Sequence, residues 1–240
     1  MTALWRLSWM EATFFMRERQ AVFWTFFLPA FMLIFFGTVF GGPGYIEFLV
    51  AGLVGMNLMS MSLFAVGTML VGYRERGILR RLRLTPLTSG TFIAAHVLNR
   101  CVLGIVQACF LLTLAYFVYG VTPRGSLAAA FVVITIGLLS FMALGFTIAS
   151  LIRHQATANG IANVILVPAL FLGGAYFPTD TLPPLVRTFG AALPLAPFLA
   201  ALRDVYGVGR PLADVAAPLA TIAVWGAIGA VVSVRFFRWE

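Results

Sequence analysis

The chain has 240 residues, of which 61% are hydrophobic and only 10% charged, far too little polar surface to coat a soluble globule. Its formal charge is +8 and all 16 basic residues are arginine, so no lysine exists for a P-loop or a Schiff base. His96 and His154 do not stand at HExxH spacing, which removes a zinc-protease ligand set.

Six windows are apolar over the roughly 20 residues that a membrane-spanning helix needs. They are 22–40, 48–73, 92–119, 127–152, 161–177 and 215–237, together 139 of 240 residues. The fold class is therefore all-α and polytopic, with a single transmembrane domain over 1–240 and no room for a separate soluble one. The first window is too long for a signal-peptide core. It is followed by Gly41-Gly42-Pro43-Gly44 in place of a small-residue cleavage site, and so is expected to stay as a span. Cys101 and Cys109 fall eight positions apart in the third window, about 12 Å along a helix and too far to bridge.

Six spans place eleven arginines on one side: Arg6, Arg17, Arg19, Arg74, Arg76, Arg80, Arg81, Arg83, Arg153, Arg235 and Arg238. Four fall on the other (Arg124, Arg187, Arg203 and Arg210), and Arg100 lies within a window. This asymmetry predicts a plasma-membrane protein with both termini cytoplasmic. It also accounts for the positive charge by topology, with no nucleic-acid partner.

All eight acidic residues lie outside the windows. An ion-driven carrier usually holds a carboxylate at membrane depth, so that class is disfavoured. His96 and Arg100 stand one turn apart in the third window, with Asn99 beside them. They read either as an ionisable cluster on a pathway or as a snorkelling arginine with an interfacial histidine. In the second window Gly52, Gly55, Met56 and Met59 repeat at helical spacing, which suits close packing as well as a soft apolar contact surface.

The loop at 74–91 begins Arg74-Glu75-Arg76-Gly77-Ile78-Leu79-Arg80-Arg81-Leu82-Arg83-Leu84-Thr85-Pro86-Leu87. Arg76, Arg80 and Arg83 share one helical face and Ile78, Leu79 and Leu82 the other, and Pro86 ends the helix. Such a helix can lie on the membrane surface or fit a groove in a partner. The segment 178–212 holds six prolines yet stays apolar around Leu185 to Leu193 and Phe198 to Tyr206. It is therefore expected to dip back into the outer leaflet as short re-entrant helices.

In order along the chain, these features resemble the six-helix, second-type permeases of ATP-binding-cassette exporters. They are an interfacial helix over 1–21 with Arg17-Glu18-Arg19, Pro29 in the first span, the Glu75 to Arg83 loop with Thr85-Pro86-Leu87, and the proline-rich stretch ending in Leu193-Pro194-Leu195 through Leu202-Arg203. The resemblance implies that 74–91 is a coupling helix docking into a separate ATPase. Glu75, Arg76, Gly77, Arg80 and Arg81 would be the coupling contacts, Arg153 would approach from the second cytoplasmic loop, and Arg17 and Glu18 would help to seat the chain on the ATPase or at the lipid. It also implies two ATPase copies carrying ATP and magnesium, no cofactor on this chain, and a second permease, either identical or a sister. A substrate path along the second and fifth spans would involve Met56, Asn57, Met59, Asn163, Val167 and Phe171. Uncharged, methionine-rich and aromatic, that set suits a drug, an antibiotic or a lipid. A polysaccharide or glycolipid exporter, an ion-driven carrier and a membrane scaffold without an ATPase stay open as alternatives.

Overall fold

The computed structural model describes residues 2–79 and 89–236, and the regular structure among them is entirely helical. Helix α1 (Thr2–Arg17) breaks at Glu18, whose backbone N–H still reaches the carbonyls of Phe14 and Phe15. Helix α2 (Arg19–Val39) then crosses the membrane with Pro29 inside it. Its Phe23, Phe27, Phe31 and Phe35 recur every four residues and stack in a row, with centroids 4.6, 5.9 and 5.8 Å apart. All four rings are exposed on the protein, as a face turned to lipid would be.

The second span is long and mostly buried. Helix α3 (Pro43–Met61), a π-helical segment (Ser62–Thr68) and α4 (Met69–Glu75) run on without a break. Together they give a 32-residue apolar helix over Gly44–Glu75. Proline suits the first helical turn, where its missing N–H costs nothing, and the helix accordingly begins at Pro43. The helix thus takes in Glu47, which the windows left outside, and its carboxylate pairs with Arg124 at 3.0 Å.

Helix α5 (Ser89–Tyr119) and α6 (Leu127–Leu151) follow; Ser126 Oγ caps α6 by accepting the Ala129 N–H at 3.3 Å. Helix α7 (Gln155–Leu172) starts six residues before the expected fifth window and ends five before its close. Polar Gln155 to Asn159 resemble a loop in sequence, but their helix is anchored from another span, as described below. At its far end Gly173 is followed by Gly174 at φ 75°, a left-handed conformation that a side chain would strain.

The proline-rich stretch forms α8 (Pro184–Ala192) and α9 (Leu195–Arg203), the latter running into a π-helical turn (Asp204–Val208). The two parts bend by 88°, the geometry of a broken span or of a re-entrant loop. Helix α9 is core: Leu195, Phe198, Leu199, Ala201 and Leu202 are fully buried, and Phe198 meets Phe141 edge-on at 5.4 Å. Arg203, counted among the external arginines, lies inside this core in place of the loop surface. Its guanidinium donates to the carbonyls of Phe48 and Gly174 and sits 3.5 Å above the Phe48 ring.

Helix α10 (Ala216–Phe236) closes the bundle against α6, where Gly226 and Gly229 bring the two helices close at Ser140 and Ala143. Small residues permit such approaches in a membrane, where apolar surface alone does not drive helix association. Six helices among the described residues are long and apolar enough to cross a membrane.

Candidate functional site

The end of α4 meets the connection between α6 and α7. Arg74 donates to the carbonyls of Ala149, at 3.0 Å, and Ile152 at the close of α6. Next to it, one oxygen of Glu75 accepts the backbone N–H of Gln155 at 2.8 Å, and the other faces His154 Nδ1 at 3.4 Å. The first N–H groups of a helix have no partner within it, and a carboxylate there also meets the favourable end of the helix dipole. Glu75 therefore caps α7, and α4, α6 and α7 are tied at one end. Gly72 permits the fit: a Cβ at this position would come within 2.5 Å of the Gln155 side chain.

Beyond the joint the chain turns away. Arg76 Nε donates to Gly72 O at 3.1 Å, and Gly77 adopts φ 69°, the left-handed end of the turn. Glu75, Arg76 and Arg153 are exposed, as are Arg17 and Glu18 at the α1–α2 break. Arg80 and Arg81, together with most of the expected coupling helix, lie outside the described residues. The family resemblance implied that Glu75 contacts another chain; here its carboxylate is engaged within the protein. The joint that Arg74, His154 and Gln155 make with Glu75 and the end of α6 was not foreseen, and the one signal available was a polar helix start following a span end.

A second polar group anchors α1. His96, one of the few fully buried polar side chains, places Nδ1 3.3 Å from Glu11 and Nε2 3.0 Å from the Ala65 carbonyl in the π-helical segment. Asn99 donates to Glu11 at 3.3 Å and to Ser8 O at 3.4 Å. An acidic residue that the windows left outside thus packs onto the third span, and His96, read either as part of an ionisable cluster or as an interfacial residue, has a buried side chain. Helix α1 is held to α5 by this cluster and, through His96, to the second span.

The path residues divide. Asn163, Val167 and Phe171 lie on one exposed face of α7 with Val164. Met56 is half-buried and accepts a hydrogen bond from the Tyr176 hydroxyl, and Tyr176 also packs against Phe171 at 6.4 Å, so the second and fifth spans are linked there. Asn57 bonds Gln107 at 3.2 Å on the side towards α5. Met59 is fully buried among its own chain's neighbours.

A family model described as ABC-2 type transporter matches residues 2–206. The chain is 28% identical over 252 residues to nodulation protein J of Rhizobium leguminosarum bv. trifolii, covering 98% of this chain and 92% of the relative. It is 25% identical over 165 residues to a protein of Escherichia coli K12 described as "Probable multidrug ABC transporter permease YbhS", 68% of this chain and 44% of the relative. Linearmycin resistance permease protein LnrN of Bacillus subtilis is also 25% identical over 165 residues, covering 69% of this chain and 42% of the relative. The chain thus spans less than half the length of the latter two.

Proposed function

This chain belongs to the ABC-2 type transporter family, and from that premise we propose that it is the membrane-spanning permease of an ATP-driven exporter. ATP and magnesium would be held by a separate ATPase, present in two copies, and the path would be completed by a second permease, identical or a sister. Its place would be the plasma membrane, with the 74–91 loop and both termini in the cytoplasm.

The observation that carries this reading is the joint at Glu75. A force applied to the exposed Arg76 and the chain beyond it passes directly into three spans, because Arg74 and Glu75 tie α4 to the end of α6 and the start of α7. Transmission of a partner's movement requires a contiguous physical connection with two arrangements, and this joint supplies the connection. The cargo we propose is hydrophobic or amphipathic. The exposed face of α7 carries Val164, Val167 and Phe171 with no charge, and one relative is named a probable multidrug permease and another a linearmycin resistance permease.

Copurification tests the partner directly. The full chain, purified from its own source, retains an ABC ATPase through detergent extraction and stimulates its ATP hydrolysis in lipid. An Arg76→Glu, Arg80→Glu double variant loses the ATPase or the stimulation. Were the ATPase never to associate and the variant to behave as wild type, the arginines would be a topology signal alone and the exporter reading would fail.

A further inference from the structure

Between α1, α2, the second span and α5 lies a cavity of about 280 Å³ whose chemistry is unlike the rest of the membrane-facing surface. Its lining mixes apolar groups such as Phe15, Leu28 and Phe64 with Asn57, Gln107 and Arg100. Asn57 and Gln107 satisfy one another and nearby carbonyls: Gln107 donates to Asn57 at 3.2 Å and to Thr25 O at 2.8 Å, and Asn57 donates to Leu53 O at 2.8 Å. Arg100 is different. Its Nε is buried without a hydrogen-bond partner, and the contact of its terminal nitrogen is the Met69 sulfur at 3.9 Å.

No described carboxylate forms an ion pair with Arg100. Glu11, the acid whose charge acts on it, directs its carboxylate to His96 and Asn99. A guanidinium stays charged at any ordinary pH, and a charge at membrane depth is costly unless an anion or a set of acceptors compensates it. The planar fork also matches a phosphate or carboxylate oxygen pair. The rim supplies the other half of the specification: Trp24 and Leu28 are exposed on the outward face of α2, so the cavity opens sideways towards lipid.

We infer that this cavity binds the anionic head of an amphiphile, a phosphate or carboxylate on an apolar tail, which reaches it laterally from the leaflet on which α1 lies. Arg100 is the counter-ion, Asn57 and Gln107 offer polar contacts beside it, and the tail leaves between Trp24 and Leu28. A free inorganic anion fits the guanidinium but not the apolar rim or the hydrocarbon surroundings. The inference goes beyond the exporter reading and does not need it, since binding is measured with neither ATPase nor nucleotide.

The test uses the full chain in phosphatidylcholine nanodiscs, with a photoreactive phosphatidylglycerol compared with a photoreactive phosphatidylcholine of identical tails. Labelled peptides are mapped by mass spectrometry. The anionic probe labels the peptides around Trp24 and Leu103 roughly tenfold more than the zwitterionic one, a preference of the size expected for a charge-assisted pair. Arg100→Gln reduces labelling to the zwitterionic level, and Arg100→Lys keeps a preference for the anion. Wild-type protein alone provides a second arm, independent of how the variants fold: unlabelled lysophosphatidic acid displaces the probe and lysophosphatidylcholine does not. Displacement by lysophosphatidic acid at much lower concentration than by unlabelled phosphatidylglycerol identifies a single-chain occupant; equal potency of the two identifies the anionic lipid of the bilayer. Equal labelling by the two probes, an unchanged preference in Arg100→Gln, or displacement by inorganic phosphate overturns the inference.

Discussion

The carboxylate of Glu75, the last residue of the second span, accepts the backbone N–H of Gln155, the first residue of the fifth, at 2.8 Å. Two segments separated by 80 positions in the sequence thereby share one helix cap. Removing the charge but not the shape isolates this contact. Glu75→Gln is expected to raise amide hydrogen exchange severalfold over 153–158 while leaving the far end of α7 unchanged. Unaltered exchange at Gln155 would show that the cap holds nothing in place.

The π-helical segment sits on α6 through two glycines. A Cβ at Gly67 would come 2.8 Å from the backbone oxygen of Gly145, which has no side-chain freedom with which to yield. Gly67→Ala is therefore expected to destabilise the bundle by about 1–3 kcal/mol, the usual cost of overpacking, even though alanine favours a helix. A fall in thermal midpoint in lipid measures it; an unchanged or higher midpoint would mean that the segment can move away from α6 at no cost.

His96 joins three elements, and no apolar side chain can do so. His96→Leu leaves the Glu11 carboxylate without its histidine partner and removes the ring bond to Ala65 O. We expect a loss of roughly 1–3 kcal/mol and protease cleavage of α1 before the spans are affected. Limited proteolysis followed by intact mass checks the order, and α1 released no faster than in wild type would contradict it.

Arg203 anchors the proline-rich stretch to the start of the second span. Lysine preserves the charge but not the fork that reaches both Phe48 O and Gly174 O, nor the flat stacking on the Phe48 ring. Arg203→Lys should lower stability by about 1–2 kcal/mol and speed protease cleavage of α8. If Arg203→Lys matches wild type in both respects, point charge alone suffices there.

Spans were legible because each is a local run of apolar residues, and the break between α8 and α9 was legible because Pro194 and Pro197 punctuate such a run. Interactions across the bundle were not. The start of α7 at Gln155 depends on a carboxylate from Glu75, and no window around Gln155 contains that information. Glu11 and Arg203 misled the reading in the same way. Each sits in a segment whose local composition signals an interface or a loop, yet partners far along the chain draw it inward. The π-helical segment has no composition of its own, and its position is set by Gly67 meeting Gly145. Glu75, Arg76 and Gly77 were named through the family resemblance as contacts for another chain, but the tie that Glu75 makes to α7 within the protein emerged only with α7 in place.

Transport itself tests the central claim most directly. The full chain and its copurified ATPase are reconstituted into sealed vesicles with ATP outside, and uptake of a fluorescent amphiphilic dye is followed. Uptake should require ATP and magnesium, stop when the ATPase is omitted, and persist when ionophores collapse all ion gradients. Uptake that ignores ATP and vanishes with the ionophores would contradict an ATP-driven permease and identify an ion-driven carrier instead.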